Sequence, residues 1–260
     1  MCTVIILNEY HDKYKLIIAA NRDELYDKPS APPELLQGTH HRILAPKDLI
    51  NGGTWIGVTE DGWFAAITNQ DDDDYNSGMK SRGHIVSECL QSGNSHDVAS
   101  DLRKLDPQQY NSFNLIFGSA DDIYIGKVHR GNTSVIDHIH TGITVIGNDC
   151  SDKAAYQRKI DHTTELARTV NHDDSISEIV NKLHHILSDH GNSNADPYEA
   201  ICVHDEQHKF GTVSSCIIAV TREGAVEYYH SKGSPCQANK MQLIEFLNEK
   251  REIFRSLFLE

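Results

Sequence analysis

The stretch Cys2-Thr3-Val4-Ile5-Ile6-Leu7, followed after a polar interval by Leu16-Ile17-Ile18-Ala19-Ala20-Asn21-Arg22-Asp23-Glu24, decides how this chain folds. Two short apolar runs flank the polar segment Asn8 to Lys15, which contains the turn formers Asn8, His11 and Asp12. That is the pattern of a β-hairpin. A hairpin brings its ends together, so Cys2 is expected beside the Asn21–Glu24 cluster. An initiator Met is commonly removed before a small residue such as Cys2, and its removal leaves Cys2 with both a thiol and a free α-amine. A thiol attacks as its thiolate. An α-amine, with a reference pKa of about 7.7–8.0, serves as a base near neutral pH, and Asp23 would orient it. The plainer reading makes Cys2 a small buried hydrophobe and Arg22–Asp23 a solvated ion pair at a strand end.

At 260 residues the chain can bury a sizeable core. Its net charge of −14 argues against a nucleic-acid or anionic-membrane surface. No apolar run approaches the ~20 residues that cross a bilayer, and no basic segment precedes an apolar one at the N-terminus. The six cysteines show no C-x-x-C spacing, which fits reduced thiols in a cytoplasmic protein.

Further along, Lys28-Pro29-Ser30-Ala31-Pro32-Pro33 reads as a loop. Asn51-Gly52-Gly53 turns into a strand through Val58, and Trp63–Thr68 returns and delivers Asn69. Helices are predicted over about 83–91, 96–104 (capped by Ser95), 152–170 (capped by Ser151) and 176–190 (capped by Ser175). Strands are predicted over 114–117, 123–127, 134–136, 143–147, 200–204, 214–220 and 225–229. A last helix from Asn239 to Leu257 would place Met241, Ile244, Leu247, Phe254 and Leu257 on one face. Strands in hairpins rather than singly between helices imply mostly antiparallel sheets covered by helices, an α+β fold. Nothing resembling a linker or repeat divides the chain, so one domain over 1–260 is expected.

Five motifs occur in order: Met1-Cys2-Thr3, Ala19-Ala20-Asn21-Arg22-Asp23-Glu24, Asn51-Gly52-Gly53-Thr54-Trp55-Ile56-Gly57-Val58, Phe64-Ala65-Ala66-Ile67-Thr68-Asn69 and Ser81-Arg82-Gly83. Together they resemble the NRDE family, named for its Asn-Arg-Asp-Glu motif and also called the transport-and-Golgi-organisation type 2 family. Phe113-Asn114-Leu115, Ile146-Gly147-Asn148 and Gly211-Thr212-Val213-Ser214-Ser215 extend the likeness more loosely. That family is in turn similar to N-terminal nucleophile hydrolases of the choloylglycine hydrolase and penicillin V acylase type. The resemblance implies a four-layer α-β-β-α sandwich and a cysteine that attacks a small linear amide, as amidohydrolase or acyltransferase. By position, the catalytic roles fall on Cys2, Asp23, Asn69 and Asn148, the two asparagines forming the oxyanion site. The family's later arginine has Arg222 as its candidate. Asn21, Arg22, Glu24 and Trp55 are candidate substrate-binding residues, although Arg22 and Glu24 also suit a structural ion pair and Trp55 suits core packing. No cofactor is required by this chemistry. The alternative implied by the family is a non-catalytic haem or lipid binding and trafficking protein that uses the same pocket for an apolar ligand.

The sixteen histidines do not carry metal-site spacing: His138 and His140, His204 and His208, and the pairs His40-His41 and His184-His185 lack matching Cys or carboxylate partners. No metal is expected. Asp71–Asp74 lacks the Gly and terminal Glu of a calcium loop. Cys202 and His204 fall on one short predicted strand, where alternate residues share a side but need not meet. Oligomeric state is left open by the sequence.

Overall fold

The computed structural model describes residues 2–71, 75–130, 132, 135–149, 151–191, 196–238 and 240–245. Asp72–Asp74 of the acidic run, Ser134, Cys150 and the predicted helix beyond residue 245, with Leu247, Phe254 and Leu257, lie outside them.

The expected hairpin opens the chain: β1 (Thr3–Asn8) and β2 (Tyr14–Leu25) pair antiparallel with Thr3 opposite Asn21. Then come β3 (Ser30–Gln37), β4 (Arg42–Asp48), β5 (Ile56–Thr59) and β6 (Phe64–Asn69). Helices α1 (Gly83–Ser92) and α2 (Ser95–Lys104) precede β7 (Phe113–Ser119), β8 (Asp122–Val128), β9 (Val135–Ile139) and β10 (Gly142–Gly147). Helices α3 (Lys153–Ala167) and α4 (Ile176–Leu187) lead to β11 (His204–Asp205), β12 (Phe210–Thr221), β13 (Val226–Lys232) and β14 (Gln242–Glu245). The first sheet runs β10-β1-β2-β12-β13-β14 with β11 on β12, and the second runs β3 through β9 in chain order. All pairings are antiparallel.

Three apolar cores separate four layers. Val4, Ile6, Leu16 and Ile18 of the first sheet meet Leu44, Val58, Phe64 and Ile116 of the second. Their odd-numbered neighbours Ile5, Leu7, Ile17 and Ala19 face Ile179, Leu183 and Leu187 of α4. On the far side, Ala65, Ile67 and Leu115 of the second sheet face Ile85, Val86 and Leu90 of α1 and Val98 and Leu102 of α2. The α-β-β-α sandwich follows from the sequence, because a strand buried on both faces reads as a continuous apolar run rather than an alternating one.

Several expectations are corrected. The proline stretch is not a loop throughout, since Ser30–Gln37 is a strand. It sits at a sheet edge, and its register shifts between Ala31 and Glu34, so Pro32 and Pro33 interrupt the ladder without leaving a missing donor inside the sheet. The predicted strand over 200–204 begins only at His204, because the amide of Cys202 donates to Asp189 O near the exit of α4. The start of the predicted last helix is a strand, in which Tyr229 faces Leu243. Met241 packs on the helix side of the sheet and Ile244 on the inter-sheet side. The helical spacing there yields to hydrogen bonds offered by the edge of β13. Two caps lie one residue from their predicted positions: Asn94 rather than Ser95 caps α2, and Asp152 rather than Ser151 caps α3. Ser175 caps α4 in a reciprocal capping box with Glu178, as expected.

The glycine motif has a steric origin. Gly53 has φ +71°, and a Cβ there would stand 2.4 Å from the carbonyl carbon of Gly83. This close approach lets Thr54 N donate to Gly83 O at 3.1 Å, which fastens the turn before Trp55 to the start of α1. Gly53→Ala is expected to destabilise the fold by at least about 1–3 kcal/mol from backbone strain alone, measured as a lowered urea midpoint. An unchanged midpoint would remove this account of the motif.

Candidate active site

Cys2 stands just before β1, half-buried, with its carbonyl accepting from Asn148 N at 2.9 Å. The register that pairs Thr3 with Asn21 sets Cys2 beside Arg22 and Asp23. Burial raises the thiol pKa and the Asp23 carboxylate adds to this, while the Asp23 N–H and the Arg22 charge pull it down; the net direction is upward. Cys2 borders a cavity of about 170 Å³ that Arg22, Asp23, Glu24, Trp55 and Asn69 also line.

Asp23 is 5 % exposed, and its Oδ1 accepts from the Thr212 hydroxyl at 2.5 Å. That contact depends on a bulge in β12: Thr212 is opposite Asp23 and Ser214 opposite Arg22, so Val213 is the extra residue. The Thr212 oxygen also accepts from Val203 N at 2.9 Å, so its position is fixed from both sides.

Arg22, 4 % exposed, lays its guanidinium over the Trp55 ring, 4.2 Å from the centroid. A line of charges continues from it: Arg22 to Glu24 at 3.5 Å, Glu24 to Lys28 at 2.7 Å, and Lys28 to Asp48 at 3.1 Å. Burial opposes the Lys28 charge, but Glu24 and Asp48 outweigh it and raise the Lys28 pKa. Asp48, against its own burial, is held below the usual carboxylate value by the Asn51 and Ile50 N–H groups and by Lys28.

Asn69 and Asn148 are joined: Asn69 N donates to Asn148 Oδ1 at 2.7 Å, and Asp149 N donates to Asn69 O at 3.1 Å. Asn69 lines the cavity, while Asn148 is buried behind it at the end of β10. Of the sequence candidates, the structure therefore gathers Cys2, Arg22, Asp23, Glu24, Trp55 and Asn69 around one space, with Asn148 supporting them.

Two candidates fall elsewhere. Asn21 points to the helix side, where its amide donates to Leu187 O at 2.8 Å and Ile201 O at 2.9 Å, so the expectation that it binds substrate is replaced by a structural tie. Arg222 lies at the opposite end of the first sheet, engaged with Glu9 and with the carbonyls of His11 and Asp12, and takes no part in this site. Sequence reading gave no role to Thr212, Lys28, Asp48 or Arg82. Arg82 lines the cavity and donates to Ser112 O at 3.1 Å. Thr212 and Arg82 both stand in motifs that carry the family resemblance, Gly211–Ser215 and Ser81–Gly83, and that membership is the signal by which the sequence marks them.

Next to this cavity is a larger one of about 730 Å³, which shares Arg22, Lys28 and Trp55 with it. Pro32, Val213, His204, His230 and Lys232 add to its wall. Cys202 and His204, which as alternate residues of one segment need not meet, do meet behind this wall, with Sγ 3.5 Å from Nε2.

Residues 1–233 match the model of the family described as Transport and Golgi organisation 2. The chain belongs to that family. It is 37% identical over 108 residues to the Transport and Golgi organization protein 2 homolog of Bos taurus, a stretch covering 40% of this chain and 38% of the bovine protein. It is 28% identical over 247 residues to the homolog of Homo sapiens, covering 83% of this chain and 85% of the human protein. Among solved structures, the mutant C2A conjugated bile acid hydrolase of Clostridium perfringens superposes with TM-score 0.59 at 8% identity, covering 95% of this chain and 92% of that one. The N-acylethanolamine-hydrolyzing acid amidase ortholog of Caenorhabditis elegans gives TM-score 0.56 at 9% identity, covering 92% and 95%. This Transport and Golgi organisation 2 family member therefore has the fold of the N-terminal nucleophile hydrolases. No helix among the described residues is long and apolar enough to cross a membrane.

His230, on β13, has its pKa pushed down to about 4 by burial. The unfolded chain keeps the ordinary value of about 6.5, so it binds more protons than the folded state between those limits. Stability therefore falls as pH drops from about 6.5 toward 4. His230→Gln is expected to flatten this part of the pH–stability curve, read from urea midpoints across the window; an equal slope in both proteins would assign the acid sensitivity to other groups.

Proposed function

We propose that this protein is a cytoplasmic amidohydrolase or acyltransferase that acts on a small linear amide through a Cys2 thioester. The observation that carries the reading is the convergence of Cys2, Asp23 and Asn69 on one cavity. With Met1 removed, the α-amine of Cys2 takes the thiol proton, and Asp23 orients that amine. The sulfur bonds to the amide carbonyl carbon, and Asn69, held in place by Asn148, stabilises the oxyanion. The C–N bond then breaks as the leaving amine takes the proton from the α-ammonium. Water, or an acceptor amine, displaces the sulfur and regenerates the thiol. The fold shared with a bile acid hydrolase and an acid amidase supports an amide bond as the target.

Intact mass is expected to show loss of Met1, with a thiol-reactive probe mapping to Cys2. In a panel of N-acyl amides, Cys2→Ser should lower turnover on the order of 100-fold and Cys2→Ala should abolish it. Full turnover by Cys2→Ala would refute the reading.

A second reading, carriage of haem or a lipid-like ligand without chemistry, draws on the 730 Å³ cavity, whose size suits such a ligand and whose wall has Trp55 beside cationic Arg22, Lys28 and Lys232. Titration with haemin is then expected to shift the Soret band at micromolar concentration, in the Cys2→Ala protein as in the wild type. A spectrum equal to that of free haemin would dismiss haem as the ligand.

A further inference from the structure

We propose that His190, Cys202, His204 and Cys236 form a tetrahedral binding site for a single divalent transition-metal ion of the zinc class. Their donor atoms all lie within 4.8 Å of one another. Nε2 of His204 is central to the group, 3.5 Å from Cys202 Sγ and 3.2 Å from Cys236 Sγ. The His190 ring stands 5.2 Å from the His204 ring at 76°. A zinc ion with Zn–S of about 2.3 Å and Zn–N of about 2.0–2.1 Å at tetrahedral angles sets sulfur and nitrogen about 3.5 Å apart, and two sulfurs about 3.8 Å apart. The spacings at His204 already match this to within a few tenths of an ångström, and the remaining pairs, at most 4.8 Å apart, need shifts of up to about 1.5 Å to reach it.

The ligands come from three chain segments distant in sequence. His190 follows α4, Cys202 stands just before β11 and His204 opens it, and Cys236 lies in the short 3-10 turn Pro235–Gln237 after β13. Such a set escapes any scan for C-x-x-C spacing. Two thiols converge on one imidazole nitrogen, which as a hydrogen-bond donor can satisfy only one of them. A cation at the centre satisfies all four groups together, and the ligand set of two thiolates and two imidazoles leaves a neutral site as two thiol protons pass to solvent. With four protein ligands the coordination shell is closed, so the role is structural. The ion would lock the wall of the 730 Å³ cavity, to which His204 belongs, and brace Val203, whose amide holds the Thr212 hydroxyl that bonds Asp23.

The test uses the full-length protein, reduced, stripped with chelator and titrated with Co²⁺. One equivalent should bind, with thiolate charge-transfer absorption in the near ultraviolet and the intense visible bands of tetrahedral cobalt, and Zn²⁺ should displace it. Cys236→Ser and His190→Ala, both away from the Cys2 cavity, should each weaken binding by at least about 10-fold. Zn²⁺ should raise the melting temperature of the wild type and not that of Cys236→Ser, and circular dichroism confirms that the variant is folded. Wild-type protein that takes up no cobalt overturns the proposal. Binding undiminished in both variants also overturns it. So does a Cys202–Cys236 disulfide that re-forms in air while the reduced protein ignores metal.

Discussion

Pairing along both edges of β2 is the constraint on which the rest depends. This twelve-residue strand is held by β1 on one side and by β12 on the other, so it stays extended well past the apolar run Leu16–Ala20. Its final residues are polar, yet Asn21, Arg22 and Asp23 are each 5 % exposed or less. Period-two alternation divides them between faces. Arg22 and Glu24 continue the inter-sheet side of Ala20 and meet Trp55 and Lys28, whereas Asn21 continues the helix side of Ala19 and ties the exit of α4 to Ile201. The same ladder holds Cys2 beside Arg22 and Asp23. A slip of one residue would exchange these faces, leaving Arg22 among the helices and Asn21 against tryptophan.

Burying that much charge needs compensation. An unpaired guanidinium in this position would be costly, and removing one partner of a buried ion pair typically costs about 3–5 kcal/mol. Arg22 is offset by the face of Trp55 and by Glu24, and Lys28 then links Glu24 to Asp48, whose remaining capacity is filled by the turn amides of Ile50 and Asn51. The network joins the end of β2 to the end of β4, and so crosses from one sheet to the other at the mouth of the Cys2 cavity. Trp55 is held from two directions, by this network and by the contact of the preceding Gly53 with Gly83.

Those parts of the fold governed by local pattern were legible in the sequence. The apolar runs, the turn glycines and most helices gave the layers, and the hairpin argument alone placed Cys2 beside Arg22 and Asp23. Features set by partners distant in the chain were not legible. Strand β3 forms despite Pro32 and Pro33 because a sheet edge does not need their missing amides, and β14 forms despite helical spacing because β13 has an open edge. Asn21 reads like its neighbours in the Asn-Arg-Asp-Glu motif until the carbonyls of Leu187 and Ile201 show which way it faces. Thr212 acquires its place from a bulge, and bulges have no fixed sequence signature. Cys202 and His204 are close in sequence, but their meeting with Cys236 depends on a turn more than thirty residues later.

The division of space beside Cys2 bears on what the proposed chemistry would accept. The cavity beside Cys2, about 170 Å³, is lined mainly by polar and charged groups and suits little more than a carbonyl and its immediate substituents. The neighbouring 730 Å³ cavity has more room and an apolar contribution from Trp55, Pro32 and Val213. Arg22, Lys28 and Trp55 line both and form the partition. Under that proposal the reacting carbon of a linear amide would enter the small space, and the rest of the molecule would lie over Trp55 in the large one. The cations of the partition would then favour an oxygen-rich or anionic group near the junction. Since the partition is built from the Arg22–Trp55 stack and the Glu24–Lys28–Asp48 bridge, the residues that hold the two sheets together at this end are also those that would select the substrate.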